Sequence, residues 1–250
     1  MSRLSPVNLI KKILLLVIIW SAFGGRLSAQ TYTPRYILSG RVTDFSGNPI
    51  DSAVVELKKA DFTTAASALT GTDGKYQLIT AEGKYMALTC IKASEYPSGS
   101  NLNPEDQRLR FWAWNIPVTG NLEIDIRYHR LEIYGLTVFR IQGSVPGYTI
   151  YCRPVSLTRV QQTDDPREVT PEPENLDILV EINGRPVKVN SVQRVQEYAA
   201  RDGFLNAYLL QVAPPTMTGK LYDLIRVMIK DKQNGDTGEA IYFKERDGYW

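Results

Sequence analysis

Histidine is nearly absent from this chain: His129 is the single one in 250 residues. Its scarcity excludes a Ser-His-Asp or Cys-His site unless His129 is the base. It also argues against zinc, because structural zinc sites want four Cys or His ligands. His129 ends a charged run, IRYHR, where an exposed surface imidazole is expected. Cysteine is scarce as well, with only Cys90 and Cys152, each in an apolar strand-like run (MALTCIKA and YTIYCRP). Two readings stay open for them. They form a disulfide in an oxidising compartment, or they are buried thiols that pack as small hydrophobes.

Long apolar runs are missing beyond the N-terminus, so no later segment is suited to cross a membrane as a helix. The one such run, Ile13 to Trp20, follows Arg3, Lys11 and Lys12 and leads to Leu27-Ser28-Ala29 before Gln30. A basic start, a short apolar core and a small residue at the cut site read as a secretory signal peptide over residues 1–29. The core is well short of the roughly 20 residues that span a bilayer, and no cysteine stands at the cut site for a lipid anchor. The expected destination is the periplasm or the outer membrane, or secretion, with no transmembrane anchor after cleavage.

An excess of one charge is also lacking. The whole chain is formally +2, with 29 basic and 27 acidic residues. Residues 1–29 hold four of the bases and no acid, so the remainder carries 25 against 27. The basic balance belongs to the leader, and a nucleic-acid partner, which would show clustered Lys and Arg, is not expected.

What is present is β pattern: short runs rich in Val, Ile, Tyr and Thr, separated by Gly, Asn, Asp and Pro. Ile37–Thr43, Ala53–Lys58, Lys75–Thr80 and Tyr85–Lys92 read as strands, with turns at FSGNP (45–49) and TGTDG (70–74). Asn121 to Tyr128 alternates as a half-buried strand. A boundary is placed near Arg130, giving domains at 30–130 and 131–250. In the second, Leu131–Phe139, Tyr148–Arg153, Leu176–Ile182, Pro186–Val189, Leu205–Val212, Leu224–Ile229 and Glu239–Phe243 read as strands. Asn183-Gly184 is a two-residue hairpin turn. The proline-rich stretch 161–175 reads as a long exposed loop or linker. Ser191 to Ala200 reads as the one short helix, with Ser191 as cap and Val192, Val195, Tyr198 and Ala199 on one face.

The stretch 39–85 carries a specific set: Gly40-Arg41-Val42-Thr43-Asp44, Gly47-Asn48-Pro49-Ile50, Ala53-Val54-Val55, Thr72-Asp73-Gly74-Lys75-Tyr76 and Gly83-Lys84-Tyr85. It resembles the carboxypeptidase regulatory-like domain, a transthyretin-like or prealbumin-like β-sandwich of exported proteins in Bacteroidota-type bacteria. The resemblance covers about a quarter of the chain and implies an appendage without chemistry of its own. The expected fold is all-β: this prealbumin-like sandwich, then a second β-rich domain of unassigned family, most simply another sandwich.

Three candidates for chemistry remain. In FWAWNI a strand places Trp112 and Trp114 on the same face, where two exposed indoles would form a platform for a sugar ring. The alternative is that both fill the core or the interface between the domains. The run Asp231–Glu239 (DKQNGDTGE) offers oxygens to calcium but lacks the EF-hand order, and Asn234-Gly235 suits a hairpin turn better. Paired carboxylates for glycoside hydrolysis do not stand out. The expectation is therefore a non-catalytic exported binding or assembly module, without cofactor or metal. Its partner is an outer-membrane or periplasmic protein or a glycan. A carbohydrate-binding protein using Trp112 and Trp114 is the alternative, and a hydrolase comes last.

Overall fold

Alternating apolar and polar residues become β-strand along almost the whole described chain. The computed structural model describes residues 33–246 apart from 142, 144–146, 200–202 and 215–218; the leader reading lies outside them. The first half holds β1 (Arg35–Thr43), β2 (Val54–Lys58), β3 (Thr64–Leu69), β4 (Lys75–Ala81), β5 (Gly83–Ile91), β6 (Phe111–Val118), β7 (Leu122–Glu123) and β8 (Ile126–Arg127). The second holds β9 (Leu131–Phe139), β10 (Tyr148–Ser156) and a four-residue helix, α1 (Leu157–Val160). It continues with β11 (Leu176–Ile182), β12 (Arg185–Val187), β13 (Val189–Tyr198), β14 (Phe204–Val212), β15 (Tyr222–Asp231) and β16 (Thr237–Glu245). The protein is all-β.

One eight-stranded sheet, in the order β12-β11-β15-β16-β6-β5-β2-β3, runs through both halves. Two small sheets cover it: β4-β1-β7, with β8 also on β1, and β13-β14-β10-β9. They lie on opposite faces, because side chains alternate along a strand. On β16, Ile241 and Phe243 enter the first core, with Leu38, Leu57, Phe111 and Tyr128. Ala240 before them and the half-buried Tyr242 between them face the second, with Ile133, Ile150, Val180 and Ile225. Two sandwiches thus share a sheet. The link between its halves is a parallel pairing of β16 with β6, Ala240↔Trp112 to Tyr242↔Trp114.

Local chemistry explains the turns. The Asp44 carboxylate accepts from the Ser46 and Asn48 amides at 2.8 and 2.9 Å, closing the turn that the sequence marked. Asn183 and Gly184 both have positive φ (54° and 76°), as a two-residue hairpin requires.

Two expectations change, and two details are added. The helix at 191–200 is instead β13, paired with β14 from Val189↔Val212 to Tyr198↔Phe204. Three- and four-residue spacing suggested a helical face, but β-branched valines and a neighbouring strand won. Among the described residues the α-helix is α1, capped where Ser156 Oγ accepts from the Arg159 amide. The loop 161–175 is tied down at its second half: Tyr208 donates to Pro171 O, Thr170 Oγ1 to Asn206 O, and Asn206 Nδ2 to Arg167 O. The run 121–128 is two short strands rather than one, interrupted at Ile124-Asp125. Strand β3 (TAASAL) went unmarked because its small residues carry little alternation.

Candidate functional site

Strand β6 does bring Trp112 and Trp114 to one face. The rings stack on each other, with centroids 4.9 Å apart and planes at 9°. A platform needs rings side by side; here each indole covers a face of the other. Trp112 is only 6% exposed, and its Nε1 donates to Glu132 Oε1 at 2.6 Å. Tyr134 meets both indoles edge-on, at 5.4 and 5.9 Å. The Arg110 guanidinium lies 5.4 Å from the Trp112 ring and 5.2 Å from Tyr96. Glu132 and Tyr134 belong to β9, so the stack lies between the halves. Such ring pairs contribute about 0.5–1.5 kcal/mol each beyond burial. Burial pushes the Glu132 carboxyl above its ordinary value, against the Trp112 hydrogen bond and Arg110.

Beyond Trp114 the strand departs from regular alternation. Asn115 has φ 58°, and Phe111 and Ala113 before it face the first core, as do Ile116 and Val118 after it. The left-handed residue shifts the parity by one. Its Nδ2 donates to Phe243 O at 2.6 Å, just past the last β6–β16 pair. Strand β9 has the same device at Gly135 (φ 66°): Leu131 and Ile133 before it, and Leu136 and Val138 after it, all enter the second core. There the register with β10 slips between Tyr151 and Arg153, as at a bulge built on a left-handed glycine. The two departures line one groove of about 390 Å³, together with Lys84, Tyr85, Met86, Trp114 and Tyr242.

The acidic residues of β15 and β16 have another use. Arg130 binds Asp236 at 3.1 Å, Thr158 at 3.0 Å, Gln161 at 3.1 Å, Gln107 O at 3.2 Å and also Pro104 O. Asp236 further accepts from Ser156 Oγ at 2.7 Å and the Thr158 amide at 2.8 Å. Asp231 is held by Arg159 at 2.7 Å, and Glu239 by Arg127 at 2.6 Å and by Arg226. The calcium-like run is therefore a hairpin loop whose carboxylates meet guanidinium groups. Among the described residues no cluster of three or more His, Cys, Asp or Glu is placed to hold a metal. At the far end, Asp223 accepts from Tyr148 at 2.7 Å, Asn183 at 2.6 Å and Arg246 at 2.6 Å. Burial opposes its charge, but these donors outweigh burial and hold its carboxyl below the ordinary value.

The remaining candidates are quiet. Cys90 and Cys152 are free and buried, one in each core. Burial pushes both thiols up, Cys152 to about 12, so neither offers a thiolate nucleophile at neutral pH. His129 is half-buried rather than exposed, and burial, with Arg108 and Arg130 nearby, depresses its basicity. The groove and the Arg130 network went unread because both join residues more than 20 positions apart; only the FWAWNI run pointed near them. No described helix is long and apolar enough to cross a membrane.

No protein-family model matches the chain, and no curated protein does. Solved structures give weak likenesses. BcpA, the major pilin subunit of Bacillus cereus, is 14% identical, with 84% of this chain and 69% of that chain covered and a TM-score of 0.27. The major pilin SpaD of Corynebacterium diphtheriae is 10% identical, with 84% and 64% covered and a TM-score of 0.21. Superpositions this loose carry no inference about function, and the resemblance to the carboxypeptidase regulatory-like domain rests on the motifs of residues 39–85 alone.

Proposed function

We propose that this chain is a non-catalytic, exported binding or assembly module of the periplasm or outer membrane. It takes an extended segment of a partner protein along the open edge of β13. One observation carries the reading: β13 is ten residues long and, among the described residues, terminal in its sheet and paired only with β14. Such an edge offers a row of backbone donors and acceptors to an incoming strand. Exposed edges are usually blunted by shortness, proline, bulges or charge. Strand β12 fits that rule, with three residues and Pro186. In β13 the bulge lies at Val189/Ser191, and the stretch beyond it has no proline. Its charges are neutralised, Arg194 by Glu172 and Glu197 by Arg153. At its end Tyr198, 71% exposed, packs on Phe204 with ring centroids 5.6 Å apart. The commitment of Asp223, Asp231, Asp236 and Glu239 to arginines supports a structural rather than a hydrolytic role for the acids.

The test places a photo-crosslinker at Gln196 of β13 and, as control, at Ser67 of β3, in exported full-length protein. A discrete partner captured from Gln196 alone, with β13 amides protected from exchange in that complex, supports the reading. Capture without β13 protection, or equal capture from Ser67, overturns it.

A further inference from the structure

We propose that the groove beside Trp114 is a binding site for a single neutral sugar ring, separate from the β13 edge. The stack that starts at Trp112 ends at Trp114 because Asn115 turns Ile116 into the first core. In an uninterrupted strand, residue 116 would be the third side chain on that face. The groove occupies its place, with about 390 Å³ of space, toward the lower end of the range of small-ligand sites. Such a volume suits one ring rather than a chain buried along its length.

The backbone is unusual at two positions of the groove's lining and in the loop beside Trp114. Asn115 and Gly135 are left-handed in two different strands, one in each half. Phe62, in the β2–β3 loop, is also left-handed (φ 61°), a conformation rare for a bulky side chain. Its loop is held by Asp61, which accepts from the Thr63 amide at 3.0 Å and the Thr63 hydroxyl at 2.7 Å. The Phe62 ring stands edge-on to Trp114 at 6.5 Å and is 47% exposed. Backbone outliers gather where a site must be shaped.

The functional groups select the ligand class. Trp114 supplies an aromatic wall. The Asn115 amide nitrogen serves Phe243 O, which leaves its Oδ1 as an acceptor. Thr137, whose hydroxyl donates to Gly135 O at 3.2 Å and keeps its lone pairs as acceptors, and Tyr242 line the same groove. The cation of the lining, Lys84, is paired with Glu245, so an anionic ligand meets no unmatched charge there. An aromatic surface edged by neutral donors and acceptors matches a ring with a C–H face and equatorial hydroxyls.

The test titrates the full exported chain with glucose, galactose, mannose, N-acetylglucosamine and their disaccharides, read by tryptophan fluorescence and calorimetry. Glucuronate serves as the anionic control and indole as the apolar one. Saturable binding of a neutral sugar is expected, weakened roughly five- to tenfold by Thr137→Ala or Tyr242→Phe, as for one lost hydrogen bond. Trp114→Phe should weaken it further. Thr137 is exposed, so Thr137→Ala keeps the test valid if Trp114→Phe fails to fold. Gln196→Lys on β13 should leave sugar binding unchanged, which separates this site from the strand edge. No neutral sugar binding, equal binding of glucuronate, or indifference to both Thr137→Ala and Tyr242→Phe overturns the proposal. Saturable binding of indole alone overturns it too, and assigns the groove to an apolar side chain of a partner.

Discussion

The two sandwiches differ in how each completes its core. The second draws its buried members from residues 131–240, and the first half adds only the half-buried Trp114. The first draws on Leu38 to Tyr128 and then takes Ile241 and Phe243 from the far end of the described chain. Tyr222 and Leu224 pack against it too. Fully burying side chains of this size contributes about 1.5–3 kcal/mol each, a large share of a small domain's net stability. The module that looks most independent by its motifs is the one that needs the other. Close packing fixes β16 within the second half, since a Cβ at Gly238 would lie 1.9 Å from Leu131 O of β9, and its pairing with β6 carries the link.

The sharpest way to break this contrast is to cut the chain. Residues 30–130 alone should show no cooperative unfolding by circular dichroism, and in the intact chain Phe243→Ala should cost about 3–5 kcal/mol. A stable, cooperative 30–130 fragment would remove the asymmetry. Next in size is Arg130→Met. It leaves the buried Asp236 without its cation, a loss of about 3–5 kcal/mol in denaturant unfolding. Because Arg130 ties loop 104–107 to α1 and the β15–β16 loop, probes in both halves should report the same transition. Two separate transitions would show halves that unfold independently.

Smaller effects follow from protonation. The Asp223 carboxyl is held below its ordinary value of 3.8, so its stabilisation is present above that pH and is lost as pH falls through the folded value. Asp223→Asn should flatten this acid limb in melting temperature against pH. Glu132 is shifted the other way, above 4.5, so the folded state binds its proton more readily. Its contribution falls as pH rises from about 4.5 through the folded value, and Glu132→Gln should remove that fall. A melting curve unchanged by either variant would show that neither group titrates differently on folding. The smallest effect belongs to Gln196→Lys on the open edge. Stability should move by less than about 0.5 kcal/mol, while partner capture by a crosslinker moved to Gln193 is lost.

Turns and most strands were legible in the residues. Asp44 with Gly47-Asn48, and Asn183-Gly184, need only themselves to bend the chain. The 191–200 stretch misled because its valines suit a helical face or a strand, and β14 chose the strand. For Trp112 and Trp114 the shared face was readable from spacing. Their mutual stacking depends on Tyr134 and Glu132, more than 15 residues downstream. The groove was not readable, since a parity shift depends on one residue's φ and shows itself only when the opposite wall is in place.

Residues 33–246 thus contain two kinds of information. Alternation, turn chemistry and capping act over a few positions, and they set the all-β class and nearly every strand. Pairing acts across the whole chain, and tertiary contacts made β16 run parallel to β6, buried Trp112 and joined the two cores on one sheet. The physical reason is range: a strand specifies its own two faces, but its neighbour is chosen by whichever distant segment completes the hydrogen bonds and fills the core.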